Sequence, residues 1–355
     1  MGIRTVVRKT SLFLFAAPLV WGQLPVRGLH LSAPAPQDVP LMVRFIQDAL
    51  PKEGVNTLVL EINYHYKFQR RPEMTDTDPL SADDAKQIAA ACRQAGVRII
   101  PLVNLLGHQS WAKTTFTLLR SHPEFDETPG KYPDNQGIYC RSYCPLHPAV
   151  HQVVFDVIDE IADAFQADAL HVGMDEVFLL GEPDCPRCRG KLKSDLFAGE
   201  VRTLRDHLAK ANRTMWMWGD RFLDGTTTGV GEWEGSYNGT YPALQAVPTD
   251  IVIADWHYEQ ATPTAAHFAL AGFNVVSCPW RDQKVALGQL DLIRSVRAHA
   301  GNPVAPRMAG VLETSWMPSA PFIRAYYGEE TTQKSVLDVV NCFRTLFTEL
   351  RKGGL

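Results

Sequence analysis

Eight short apolar runs recur along this chain, and nearly every one is followed by a stretch with the spacing of an amphipathic helix. The runs are Val26–Leu31, Asn56–Ile62, Val97–Val103, Ala169–Val172, Thr214–Trp218, Ile251–Asp255, Asn274–Cys278 and Ala309–Glu313. They are rich in Val, Ile and Leu with little polar alternation, the pattern of strands buried on both faces. Helical spacing is expected at Asp38–Leu50, Asp83–Ala95, Pro148–Phe165, Ser194–Ala211, Thr264–Leu270, Val285–Ala300 and Thr332–Leu350. Ser81 caps the second of these and Gly96 stops it. The fifth crossover, around Tyr241–Val247, is short. Eight alternations predict an α/β fold of the (β/α)₈ TIM-barrel class, one domain over 23–355. A doubly wound open sheet fits less well, because no Gly-rich phosphate loop follows the first strand.

In such a barrel, chemistry sits at the C-terminal strand ends. Polar and aromatic residues collect there in this sequence. Strand 3 ends in Asn104 and Gly107-His108, strand 4 in Asp175-Glu176, and strand 5 in Trp216, Trp218 and Asp220. Strand 6 ends in Asp255, Trp256, His257 and Tyr258, strand 7 in Trp280, and strand 8 in Glu313 and Trp316. Trp faces stack on the apolar face of a sugar ring, and carboxylates bind its hydroxyls. One such Trp would more often be core; the repetition points to a carbohydrate site.

Composition narrows the partners. The net charge of -4, with Lys and Arg scattered, argues against nucleic acid and against a polybasic membrane surface. Arg4, Arg8 and Lys9 precede an apolar stretch from Ser11 to Trp21, too short to span a bilayer as a helix. That order reads as a secretory signal over 1–22, so a secreted or periplasmic location is expected. Nothing in the sequence sets an oligomeric state.

The segment His171-Val-Gly-Met-Asp175-Glu176-Val resembles the His-x-Gly-Gly-Asp-Glu-Val signature of glycoside hydrolase family 20, the β-N-acetylhexosaminidases. Arg27-Gly28 is similar to the family's opening Arg-Gly, and Pro101 to Gly107-His108 to its third-strand motif. The resemblance implies hydrolysis of a terminal β-linked GlcNAc or GalNAc without a catalytic cofactor. It implies that the substrate's own 2-acetamido oxygen attacks the anomeric carbon, with Glu176 as acid and base and Asp175 holding the acetamido N–H. It further implies that Arg27 binds sugar hydroxyls, that His108 and His171 orient the carboxylates, and that Trp218, Trp256 and Trp316 wall the acetamido pocket. Asn104 stands where the family usually has Asp, and Met174 where it has Gly. Tyr258 is a candidate cap for the acetamido oxygen, because the family's Tyr after strand 7 is missing. Glu313 is a candidate for the outer hydroxyls, because Met317-Pro318 follow Trp316.

The physical reading stands beside the resemblance. Glycoside cleavage ordinarily uses two carboxyl groups on opposite sides of the scissile bond. Neighbours on a strand point to opposite sides, so the adjacent pair is not expected to flank a bond that way. Two rivals remain. One is a conventional two-carboxylate glycosidase, for which strand 7 offers no acid and only Glu313 is a rescue. The other is a non-catalytic sugar-binding barrel.

Four of the seven cysteines form two close pairs, Cys140 with Cys144 and Cys185 with Cys188, in the loops after strands 3 and 4. If the loops meet, the four fit a structural zinc site. Disulfides are the alternative, which an exported chain favours. Cys92, Cys278 and Cys342 lie in helix or strand patterns and are expected to be packing residues.

Overall fold

The computed structural model describes residues 24–329 and 333–352, so the expected secretory segment lies outside the described residues. The barrel strands are β1 Val26–Ser32, β2 Thr57–Glu61, β3 Arg98–Leu105 and β4 Ala169–Gly173. They continue with β5 Thr214–Trp218, β6 Val252–Trp256, β7 Asn274–Cys278 and β8 Met308–Glu313. Each pairs in parallel with its sequence neighbours, and β1 closes the ring on β8 through Arg27 opposite Val311. This is the expected (β/α)₈ barrel, with run boundaries shifted by two residues at most.

Helices cover the outside. Ala82–Gln94 starts from a capping box in which the Asp84 N–H donates to Ser81 Oγ at 3.1 Å. Val150–Ala164, Lys193–Lys210, Gln283–His299 and Lys334–Lys352 bury one face each against the strands. The first crossover is not the single helix that its spacing predicts. It runs Val39–Arg44, widens into a π turn at Phe45–Ala49, and restarts as Leu50–Glu53. Pro51 has no N–H for the carbonyl four residues back, which accounts for the break. A small hairpin, Ser110–Trp111 with Thr114–Thr115, and a helix at Ser319–Tyr326 carried too little periodicity to be read from the sequence.

The core has two layers. One lies between strands and helices; the other fills the barrel with Val59, Ile100, Leu102, Trp216, Trp218 and Leu312 among its members. Gly310 closes the ring at a register shift in β8. Its φ is +152°, and a Cβ there would sit 1.9 Å from the Val26 carbonyl oxygen. Because all eight strands run parallel, their C-terminal ends open on one face, and the long loops after β3 and β4 fold over it.

Candidate active site

Strand β4 ends at Gly173, and the carboxylate pair lies beyond it in a tight left-handed turn. Gly173, Met174 and Glu176 have φ of +66°, +68° and +49°. Asp175 and Glu176 therefore do not alternate as strand neighbours would, and both face one cleft. A Cβ on Gly173 would lie 2.2 Å from Asn104 Oδ1, so only glycine fits between β3 and β4 here. Met174 has no such excuse; left-handed backbone costs an L-residue about 1–2 kcal/mol. Its side chain is 1% exposed within the outer core, and that burial offsets the cost. Asn63, Leu106 and His108, on the neighbouring strand ends, also have positive φ. Such strain gathers where surrounding structure fixes it, commonly at functional sites.

His108 joins the two acids. Its Nε2 lies 3.3 Å from Asp175 Oδ2 and 3.0 Å from Glu176 Oε2, within reach of both and aimed squarely at neither. Burial alone would push this imidazole down. The Asp175 charge and the contacts with both carboxylates outweigh it, so His108 titrates well above its ordinary value. Asp175 Oδ1 is buried and accepts no hydrogen bond from any described residue.

Glu176 is anchored from behind. Its N–H donates to Asp220 Oδ2 at 2.9 Å, and Trp256 Nε1 donates to Asp220 Oδ1 at 3.3 Å. Arg221 Nε donates to the same Oδ2 at 2.6 Å, while its other end donates to the carbonyls of Glu232, Trp233 and Gly235. Burial pushes Asp220 up to about 6 against the pull of Arg221. Tyr139, from the loop after β3, stands over Glu176; burial and the Glu176 charge hold its hydroxyl proton tightly.

The cleft has a volume of about 600 Å³. One wall is aromatic: Tyr258 lies 5.0 Å from Trp256 and 5.3 Å from Trp280 between ring centres, and Trp316 Nε1 donates to Tyr258 Oη at 2.7 Å. The opposite wall is polar. Asn63 and Asn104 side-chain amides donate to Glu61 Oε1 at 2.8 and 3.1 Å. Trp111 and Trp233 stand half-exposed at the rim.

Of the residues singled out in the sequence, Asp175, Glu176, Asn104, His108, Trp256, Tyr258 and Trp316 line this cleft. Arg27 does not. It sits near the start of β1, where Nε and Nη1 donate to the carbonyls of Gly54 and Leu24, both at 2.8 Å. His171 and Trp218 point into the barrel beneath the cleft, 4.4 Å apart between rings. Burial pushes His171 well below its ordinary value, so it is a neutral interior ring and touches neither carboxylate. Glu313 points outward from β8, where Cys342 Sγ donates to its Oε2 at 3.6 Å. That outward, buried position removes it as a sugar ligand and as a second acid, and burial pushes its carboxyl pKa well up. Strand alternation explains both outcomes: Leu312 takes the inward position, so its neighbour Glu313 faces the helices.

The zinc expectation also changes. Cys140 Sγ donates to the Glu176 carbonyl at 3.6 Å and lies outside the cysteine cluster. Glu127 takes the fourth place beside Cys144, Cys185 and Cys188. Sequence reasoning passed over Glu127, Tyr139, Glu61 and the role of Asp220. Glu127 and Tyr139 sit in a long irregular loop without periodicity, whereas Glu61 and Asp220 fall at strand ends and were open to the same rule that found the others.

A parallel barrel with a paired-acid, Trp-walled cleft at its strand ends is the architecture of a carbohydrate-active barrel. The family model for the catalytic domain of glycosyl hydrolase family 20 matches residues 58–286, and the chain belongs to that family. A β-hexosaminidase from Vibrio furnissii is 25% identical over 253 residues, 69% of this chain and 34% of its own length. One from Akkermansia muciniphila is 29% identical over 132 residues, 36% of this chain and 25% of its own. The chain thus spans about a third or less of the length of these curated relatives. Among solved structures, a β-N-acetylhexosaminidase superposes with a TM-score of 0.65 at 17% identity, over 94% of this chain and 77% of its own. The Vibrio harveyi exo β-N-acetylglucosaminidase bound to N-acetylglucosamine gives 0.63 at 17%, over 94% and 57%. At such identities the likeness speaks for the fold.

Proposed function

We propose that this protein hydrolyses terminal β-linked N-acetylhexosamine with retention, using the substrate's acetamido oxygen as nucleophile. The carrying observation is the pair Asp175–Glu176 sharing His108, with Asp175 Oδ1 buried in the cleft and unsatisfied. Two acids that meet on one histidine lie on one side of a bound sugar and do not flank its bond as an acid and an enzyme nucleophile would. A buried acceptor without a donor costs about 1–3 kcal/mol; an acetamido N–H supplies that donor. Asp175 then orients the acetamido group and offsets the positive charge that grows as the ring closes onto the anomeric carbon. Glu176 gives its proton to the leaving oxygen and later takes one from the water that opens the ring. His108 and the Asp220–Trp256 anchor fix the two carboxylates before substrate arrives, which is where electrostatic catalysis draws its strength.

The aromatic wall suits the acetamido methyl, and Tyr258, whose hydroxyl accepts from Trp316, would donate its hydroxyl hydrogen to the acetamido oxygen. We infer from the N-terminal charge order that the chain acts after export.

Chromogenic β-GlcNAc, β-GalNAc, β-glucoside and β-galactoside, tested on wild type and on Glu176→Gln, examine the proposal. Cleavage confined to the acetamido sugars and lost in Glu176→Gln is expected. Equal rates on the plain glycosides would mean an enzyme nucleophile instead, and no cleavage of any would favour a sugar-binding barrel.

A further inference from the structure

Behind the cleft, the loops after β3 and β4 converge on a small knot of sulfur. Cys144 comes from the first loop, and Cys185 and Cys188 from the second. All three are buried, and Cys144 Sγ lies 3.4 Å from the sulfurs of both Cys185 and Cys188. The Cys185-Pro-Arg-Cys188 turn folds so that the Cys188 N–H donates to Cys185 Sγ at 3.4 Å, and the Arg189 N–H donates to the Cys185 carbonyl at 3.1 Å. A backbone N–H aimed at a sulfur stabilises a thiolate there.

Glu127 completes the knot and is the second, independent observation. It is fully buried. Its Oε1 accepts the N–H groups of Gly181 and Glu182 at 2.7 and 3.1 Å, which fix the carboxylate in place. Its Oε2 is buried and accepts no hydrogen bond from any described residue. The carboxylate and the three sulfurs lie within 4.8 Å of one another.

A disulfide does not satisfy this arrangement. It joins two sulfurs, leaves the third thiol idle, and does nothing for a buried carboxylate whose charge needs a partner. A tetrahedral cation satisfies all four at once. With metal–sulfur bonds of about 2.3 Å, the sulfurs of such a site lie about 3.8 Å apart, a small outward step from where they stand. Thiolate-rich tetrahedral sites favour zinc among the common divalent ions, and four protein ligands leave no position for a water or a substrate.

We propose that Cys144, Cys185, Cys188 and Glu127 bind one structural zinc ion that ties the loop after β3 to the loop after β4. The tie matters to the cleft because both loops carry its walls. Tyr139 and Cys140 precede Cys144 by a few residues, and Glu176 lies a short way before Cys185. The Cys140 thiol donates to the Glu176 carbonyl between them. The zinc thus sets where the two loops meet without touching the reacting atoms.

The full chain, purified without a metal-affinity step or added zinc, is examined by elemental analysis and by thiol titration in denaturant without reductant. The expected result is stoichiometric zinc, with all seven cysteines titrating once a chelator is present. Zinc-free protein with two thiols missing would overturn the proposal in favour of a disulfide, and zinc-free protein with all thiols present would overturn it outright. Variants then assign the ligands. Cys185→Ser and Glu127→Ala are expected to lose zinc, whereas Cys140→Ser and Glu127→Cys keep it. Full zinc in Glu127→Ala would remove the carboxylate from the site. If a variant fails to fold, cobalt loaded into wild type still decides: intense sulfur-to-cobalt absorption with tetrahedral bands is expected, and its absence contradicts the site. None of these readouts depends on glycosidase activity.

Discussion

The backbone N–H of Glu176 is held by Asp220 Oδ2 at 2.9 Å, although the two residues come from the loops of different strands. The same carboxylate receives Trp256 Nε1 and Arg221 Nε, so one buried acid aligns Glu176, an aromatic wall and the loop after β5. With Asp220 raised to about 6, protonation below that value weakens its hold on all three donors. An acid-side fall in kcat centred near about 6 is expected. Asp220→Asn is expected to lower kcat by up to about 10²-fold, the scale of a small misplacement of a reacting group. It also removes that part of the pH profile. An unchanged acid limb in the variant would assign the limb to another group.

His108 sets the opposite side of the profile. The Asp175 charge and the contacts with both acids raise its pKa against the opposing effect of burial. The stability it contributes is complete below its ordinary value of 6.5 and is lost as pH rises through the raised folded value. His108→Gln is expected to lower kcat and to flatten the alkaline loss of both activity and denaturant midpoint. A variant whose alkaline profile matches wild type would show that His108 is not the titrating group.

Glu176 and Asp175 are expected to fail differently. On the proposed mechanism Glu176→Gln takes away the proton donor, at an expected cost of about 10²–10⁴-fold in kcat. Much of that should return on substrates with very acidic leaving groups, which need no protonation. On the same mechanism Asp175→Asn takes away charge stabilisation of the closing ring, at an expected loss of about 10²–10³-fold. That loss persists whatever the leaving group. Steady-state kinetics across a leaving-group series separates the two, and equal rescue of both variants would contradict the assignment.

Gly173 tests the geometry that places them. Gly173→Ala forces a Cβ against Asn104 at positive φ. It is expected to destabilise by about 1–3 kcal/mol and to lower kcat through displacement of the turn that carries Asp175 and Glu176. Denaturation midpoints and kcat measured together read both effects.

Glu313 is expected to matter for stability alone. Its carboxyl is buried, and burial raises its pKa well above the ordinary value. An acid whose folded pKa is raised favours the folded state most below its unfolded value near 4.5, and that advantage is lost as pH rises through the folded value. Glu313→Gln is expected to keep kcat and to flatten this decline in urea unfolding. A large rise in KM or fall in kcat would return Glu313 to the cleft.

The barrel was legible because its strands are buried on both faces and therefore read as unbroken apolar runs. Trp256, Tyr258 and Trp316, which lie at or beyond their strands' last residues, do line the cleft, as the strand-end rule expects. It failed for Trp218 and Glu313. Trp218 is the last inward residue of β5 and becomes the floor beneath the cleft; Glu313 is turned outward by alternation. Arg27 was placed by a two-residue likeness that carries no information on where its guanidinium finds carbonyl partners. Tyr139 and Glu127 were hidden because a long loop has no period, and its contacts are set only when the loops after β3 and β4 meet. Strand alternation was the reason for reading Asp175 and Glu176 as acids that do not flank a bond, yet both face one cleft. The cause in the folded chain is the left-handed turn after Gly173.

The most direct measurement of the central claim is kcat/KM for a series of β-glycosides whose 2-acetamido methyl carries none, one, two or three fluorines. Fluorine withdraws electrons from the acetamido oxygen and weakens it as a nucleophile. The account predicts a steep, monotonic fall in rate across the series. A rate that stays level with fluorination would contradict it, because the nucleophile would then belong to the protein.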